Sequence, residues 1–223
     1  MKNFAQNFCI ASLCILLSTL GTITFLDWRE VSTKTVQDDM YITTQNLELV
    51  GADMVKGIEE TALITTTYFD GFNDNCGPTA VGNILAYYDQ NKGVDVLENH
   101  PMSREEYLNI ADICNLNEAN RGTKVGDALR AIKQCFTDKN YKAKVENVRI
   151  DTWHAIKKEI ENDRPIYLAR CSKELSHAYV VVGWKQYQDG TKTVVALTGW
   201  EDKLVEEILL NDNEQKYYTV NAK

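Results

Sequence analysis

Apolar residues recur at three- and four-residue steps through the middle of the chain, and in β-branched runs or two-residue alternation towards its end. Val81, Ile84, Leu85 and Tyr88 share one face of a helix starting near Cys76. There Asn75 can cap, Gly77 lets the backbone turn and Pro78 supplies the φ favoured in a first turn. Ser103 and Glu106 have capping-box spacing ahead of Tyr107, Leu108, Ala111 and Ile113, which predicts a second helix. A third carries Val125, Leu129, Ile132 and Phe136 after Thr123. A fourth, capped by Asp151, carries Trp153, Ile156 and Ile160 and ends before Arg164-Pro165. Leu63–Phe69, Lys142–Val148 and Ile166–Ala169 read as strands. Ala178–Trp184 and Thr193–Leu197 form a hairpin around Gln188-Asp189-Gly190, and Lys203–Leu210 and Tyr217–Val220 extend the sheet. Helices followed by antiparallel strands predict an α+β fold, a helical half packed on a sheet half with a cleft between them.

The first residues have a different pattern. Lys2 and the α-amino group precede an apolar run from Phe8 to Leu26 without a formal charge, so residues 1–27 are expected to be an export signal or a membrane anchor. Lys2 then stays on the cytoplasmic side and the flank from Asp27 onwards is carried across. This places the protein outside the cell or anchored on the outer face of its membrane. Residues 28–65 are polar and weakly periodic and read as a linker, an arm or a pro-segment, which leaves residues 66–223 as one domain.

The formal net charge of −8, from 24 basic and 32 acidic side chains, argues against a nucleic-acid surface and gives no electrostatic attraction to anionic lipid beyond the N-terminal segment. Of six cysteines, Cys9 and Cys14 fall in the leader. Cys76, Cys114, Cys135 and Cys171 lie beyond it without Cys-x-x-Cys spacing. None of the three histidines stands near a cysteine pair at ligand spacing, so neither a metal nor another cofactor is expected. Cys114 and Cys135 read as core-filling thiols, Cys171 as a packed strand-end thiol close to Ser176, and His154 as a solvated surface residue.

Two separated segments carry the candidate chemistry. Cys76 at a helix N-terminus sits where unpaired N–H groups and the helix dipole favour an anion, so a thiolate is expected, although a small buried hydrophobe is the alternative. His177, at the mouth of the Ala178–Trp184 run, is mounted on a strand. If the fold brings the two together, the imidazole can take the thiol proton.

The segments Asn75-Cys76-Gly77-Pro78-Thr79-Ala80-Val81-Gly82-Asn83 and Ser176-His177-Ala178-Tyr179-Val180-Val181-Val182-Gly183-Trp184 together resemble the papain-like cysteine peptidase superfamily. They are most similar to its bacterial branches that include bacteriocin-leader-processing, staphopain-like and streptopain-like enzymes. The resemblance covers roughly residues 66–200. It implies hydrolysis of a peptide or protein substrate through an acyl-thioester, with Cys76 as nucleophile and His177 as base. The sequence departs from the family twice. The family's oxyanion-hole glutamine, six residues before the nucleophile, is Asp70 here; Asn73 or Asn75 are candidate replacement donors. The family's Asn-Ser-Trp-like motif is Thr198-Gly199-Trp200, so the Thr198 hydroxyl is the expected orienting partner of His177, with Asp202 as the alternative. The same residues are open to an amidase or acyltransferase with a different acceptor, or to a catalytically weak peptide-binding module.

Overall fold

A computed structural model describes residues 47–69, 71–116, 122–172, 176–211 and 213–223. The apolar leader lies outside these residues, as does the first part of the segment read as a linker. Among the described residues no helix is long and apolar enough to cross a membrane.

Helix α1 (Cys76–Lys92) is the centre of the domain. Every residue from Gly77 to Tyr88 is buried, well beyond the single apolar face that the periodicity predicts. The cause is its position, with the sheet on one side, α2 (Arg104–Ile113) and α3 (Val125–Asp138) on another, and the chain before Thr66 on a third. Even its polar residues are spoken for. Asn83 accepts from the Ile64 N–H at 2.8 Å and donates to the Ile64 carbonyl at 3.0 Å, and the Tyr88 hydroxyl donates to the Val220 carbonyl at 2.5 Å.

The Asn83 bonds explain one departure from the expected elements. Leu63–Phe69 is not a strand, because the backbone groups of Ile64 are taken by a helix side chain and are lost to a sheet ladder. The α2 capping box forms as read, with Ser103 accepting from the Glu106 N–H and Glu106 bonding back, an arrangement worth about 1 kcal/mol. α4 (Thr152–Glu161) starts at Asp151, whose side chain accepts from the His154 N–H.

The sheet is antiparallel and has seven strands: β1 (Leu49–Met54), β2 (Ala143–Asn147), β3 (Ile166–Cys171), β4 (Ser176–Tyr187), β5 (Lys192–Leu197), β6 (Val205–Leu209) and β7 (Gln215–Ala222). Its order is β2-β7-β3-β4-β5-β6. The last strand therefore leaves β6 and inserts between β2 and β3, a long-range pairing that local pattern does not encode. β1 lies beside the second half of β4, where β3 has ended, and pairs from Leu49↔Tyr187 to Met54↔Gly183. Gly183 is needed there, since a Cβ would meet the Asp53 carbonyl at 2.9 Å.

This strand falls within the segment read as a linker, an arm or a pro-segment. Val55, Ile58 and Ile64 of that segment lie in the core. The polar, weakly periodic sequence hides this because β1 is an edge strand whose Leu49 and Val50 are exposed.

Candidate active site

Two elements bring the candidate residues to one place. Cys76 is the first residue of α1 and His177 the second of β4. Both line a cleft of about 520 Å³, together with Asp74, Thr123, Arg170 and Trp200. The N–H of Ala178, the residue next to His177, donates to the Cys76 sulfur, so the start of β4 is in direct contact with the start of α1.

His177 is held on several sides. Its Nε2 lies 2.7 Å from the Thr198 carbonyl oxygen. A carbonyl can only accept, so Nε2 carries the proton and Nδ1 remains the acceptor in the neutral ring. The Tyr179 and Trp200 rings each lie 4.5 Å from the imidazole centroid, Tyr179 edge-on at 72° and Trp200 tilted at 38°. Burial depresses the imidazole pKa, the Thr198 carbonyl opposes that by favouring the charged ring, and the Arg170 guanidinium, cross-strand from His177, adds to the depression.

Here the orienting group differs from the expected one. Thr198 does hold His177, but through its backbone carbonyl. Its hydroxyl donates to the Lys203 carbonyl and accepts from the Trp200 N–H at 2.9 Å. That side chain shapes the turn that presents the carbonyl and seats Trp200 over the ring. Gly199 completes the turn at φ 75°, packed where a Cβ would press on Thr79 at 3.1 Å, and its carbonyl accepts from Thr66 N–H at 2.7 Å. Asp202 is exposed and is not among the residues lining the cleft.

The thiolate expectation also needs correction. Burial raises the Cys76 pKa. The N–H groups of Ala178, Gly77 and Cys76 itself pull it down, Asp74 pushes it up, and burial dominates. A raised thiol and a depressed imidazole both favour the uncharged forms of the pair. The helix terminus supplies N–H donors at the sulfur, but desolvation outweighs them.

The oxyanion candidates fare differently from the way the sequence suggests. Asn75 is buried, and its Nδ2 donates to the Thr66 carbonyl and to the Tyr107 hydroxyl, both at 2.9 Å. Both amide hydrogens are committed, so Asn75 ties the loop before α1 to α2; its side chain does not cap α1 either. Asn73 is exposed and does not line the cleft. Asp70 lies outside the described residues. The Cys76 backbone N–H stands at the helix start beside the sulfur and is the donor available to an oxyanion there.

Cys114 and Cys135 are buried, and burial pushes their thiols up to about 12 and about 11. Cys171 is exposed and lines the same cleft. His154 is exposed on α4. Among the described residues no group of His, Cys, Asp and Glu is arranged to hold a metal ion. Sequence reasoning missed the Ala178 N–H, the Tyr179 and Trp200 rings around His177, and Arg170. Tyr179 could have been found from strand alternation, since it stands two residues after His177 on the same face. Arg170 could not, because its position depends on the β3–β4 register.

No curated protein matches the chain. Among solved structures it is similar to the peptidase domain of Streptococcus ComA, a bifunctional ABC transporter involved in a quorum-sensing pathway. That likeness has 15% identity, covers 67% of this chain and 90% of that one, and has a TM-score of 0.40. It is also similar to the active wild-type interpain A cysteine protease of Prevotella intermedia, at 12% identity, with 77% of this chain and 95% of that one covered and a TM-score of 0.47. The model of the Peptidase_C39 like family matches residues 63–220, which takes in both cleft segments and the chain from α1 into β7. On that match the chain belongs to the Peptidase_C39-like family, and it is a cysteine peptidase.

Proposed function

We propose that the chain is an exported peptidase that hydrolyses peptide bonds through Cys76 and His177. The observation that carries this reading is the commitment of His177 Nε2 to the Thr198 carbonyl. It leaves Nδ1 as a base in the cleft that also holds the Cys76 thiol. As a peptide carbonyl enters, the Cys76 sulfur attacks its carbon while the thiol proton passes to Nδ1. The oxyanion develops against the Cys76 N–H. The imidazolium then gives that proton to the departing amine as the C–N bond breaks, leaving an acyl-thioester. Water attacks the thioester, its proton goes to Nδ1, the C–S bond breaks and the thiol is reprotonated. The Thr198 carbonyl and the rings of Tyr179 and Trp200 keep the imidazole in place and one face of it dry through both halves of the cycle.

Export is supported by the uncharged apolar run after Lys2 and is tested by protease added outside intact cells, which degrades an exported chain and spares a cytosolic one. For the chemistry, the test is cleavage of a mixed peptide library followed by mass spectrometry, with and without an added amine. Hydrolysis gives free carboxyl termini that need both Cys76 and His177. Products dominated by amine adducts would make the enzyme an acyltransferase, and cleavage surviving Cys76→Ala would remove the nucleophile from the account.

A further inference from the structure

We propose that Asp74 is a specificity-determining residue of this cleft, selecting substrates with a lysine or arginine side chain next to the scissile bond; this rests on the cleft being the peptidase site. Only two residues described as lining the cleft carry a formal charge, Asp74 and Arg170. Their situations are opposite. Arg170 is 4% exposed and engaged within the protein. Asp74 is exposed, and among the described residues no hydrogen bond or ion pair engages its carboxylate.

Asp74 stands two residues before Cys76, close enough for its charge to act on the sulfur. Its backbone is held at φ 51°, a left-handed conformation that aspartate and asparagine adopt more readily than most residues. The neighbouring wall is made small. A Cβ on Gly122 would lie 3.7 Å from the Asp74 carbonyl oxygen, and Gly77 has no room for one because Thr123 would lie 2.6 Å away. The result is an exposed, unneutralised carboxylate on the cleft lining beside the nucleophile, with Gly122 and Thr123 as its neighbours there. A long cationic side chain fits that chemistry, and the net charge of −8 favours the approach of a cationic peptide. The carboxylate also opposes the negative sulfur. A bound cation would offset this opposition, so the preferred substrate relieves a handicap that the free enzyme carries.

The test uses the full chain and four fluorogenic peptides that differ only in the residues flanking the scissile bond: lysine or norleucine on either side. The parent is expected to cleave one lysine peptide with kcat/KM about five- to tenfold above its norleucine partner, the scale of one partly exposed ion pair. The preference should fall towards unity in 0.5 M NaCl, where the screening length shrinks to a few ångströms. Asp74→Asn, compatible with the same backbone conformation, should abolish the preference, bringing the lysine and norleucine rates of that pair to within about twofold of each other. A structural role for Asp74 would instead lower all four rates together. Equal rates in the parent, or a lysine preference that survives Asp74→Asn or high salt, would overturn the proposal while leaving the peptidase reading intact. Absence of cleavage of any peptide by the parent, together with no labelling of Cys76, would overturn the peptidase reading and the Asp74 proposal with it.

Discussion

The two walls of the cleft are built on different principles. On the sheet wall, His177 has a strand backbone beneath it, a carbonyl on Nε2 and two aromatic rings against it, and Arg170, Ala178, Tyr179 and Thr198 around it are buried. The loop wall has Asp74 at positive φ and Gly122 at φ 65°. Before the helix, Asn75 and the rings of Phe69 and Phe72 anchor the loop on Tyr107. The sheet wall holds the imidazole in one orientation, and the loop wall can change side chains without disturbing it. Chemistry is thereby separated from selection, and substitutions on the two walls should fail in different ways.

The largest effects belong to the reacting pair. Cys76→Ala and His177→Ala should each lower kcat/KM by about 10³-fold or more while leaving the thermal midpoint near that of the parent; steady-state kinetics beside calorimetry checks both. Next is Asn75→Ala, which removes two buried amide bonds and strands the Thr66 carbonyl. It should destabilise the fold by about 2–3 kcal/mol, seen as a lower denaturation midpoint. If Asn75 were an oxyanion donor, kcat would fall with the midpoint unchanged.

Smaller effects test how the sheet wall works. Thr198→Val keeps the carbonyl that holds His177 but loses the hydroxyl bonds to Lys203 and Trp200, so a loss of about 1–2 kcal/mol of stability and a several-fold fall in activity are expected. Thr198→Asn should not raise activity, because the orienting group is the backbone. Asp202→Asn should stay within about twofold, since its carboxylate lies outside the cleft.

The pH dependence follows from the directions of the two shifts. Burial lowers the His177 pKa, so the neutral base persists to more acid pH and the acid limb of kcat/KM should fall below about 6.5. Burial raises the Cys76 pKa, so the alkaline limb should lie above the ordinary thiol value. Trp200→Ala admits water to the imidazole and should move the acid limb up. A shift downwards would mean that Trp200 does not shield the ring.

Much of this was legible in the sequence because local signals carried it. Gly77-Pro78 marked the helix start, Ser103 and Glu106 its successor, and Asp189-Gly190 the hairpin. What the sequence withheld depends on tertiary pairing. The order of β7 and the inclusion of β1 follow from sheet register. The disappearance of the strand expected at 63–69 follows from Asn83, which competes for its backbone. At the site, position and residue type single out Cys76 and His177, and the fold brings both to one cleft. The role of Thr198 was assigned to the wrong atom, because side chains are visible in a sequence and a carbonyl aimed by a turn is not. The thiolate expectation weighed the helix terminus without the burial that only packing creates. Asn75 was misread for a similar reason, since a polar residue beside the nucleophile gives no sign of being committed to Tyr107.

The central claim is that Cys76 reacts because His177 activates it, and the most direct measurement is the site and rate of covalent labelling by a peptidyl electrophile that mimics a substrate carbonyl. Intact mass and peptide mapping should find one adduct, on Cys76, formed at a saturable rate that His177→Ala slows by at least about 10²-fold. The exposed Cys171, in the same cleft, is the internal control. Labelling chiefly at Cys171, or labelling of Cys76 at an unchanged rate in His177→Ala, would contradict the account.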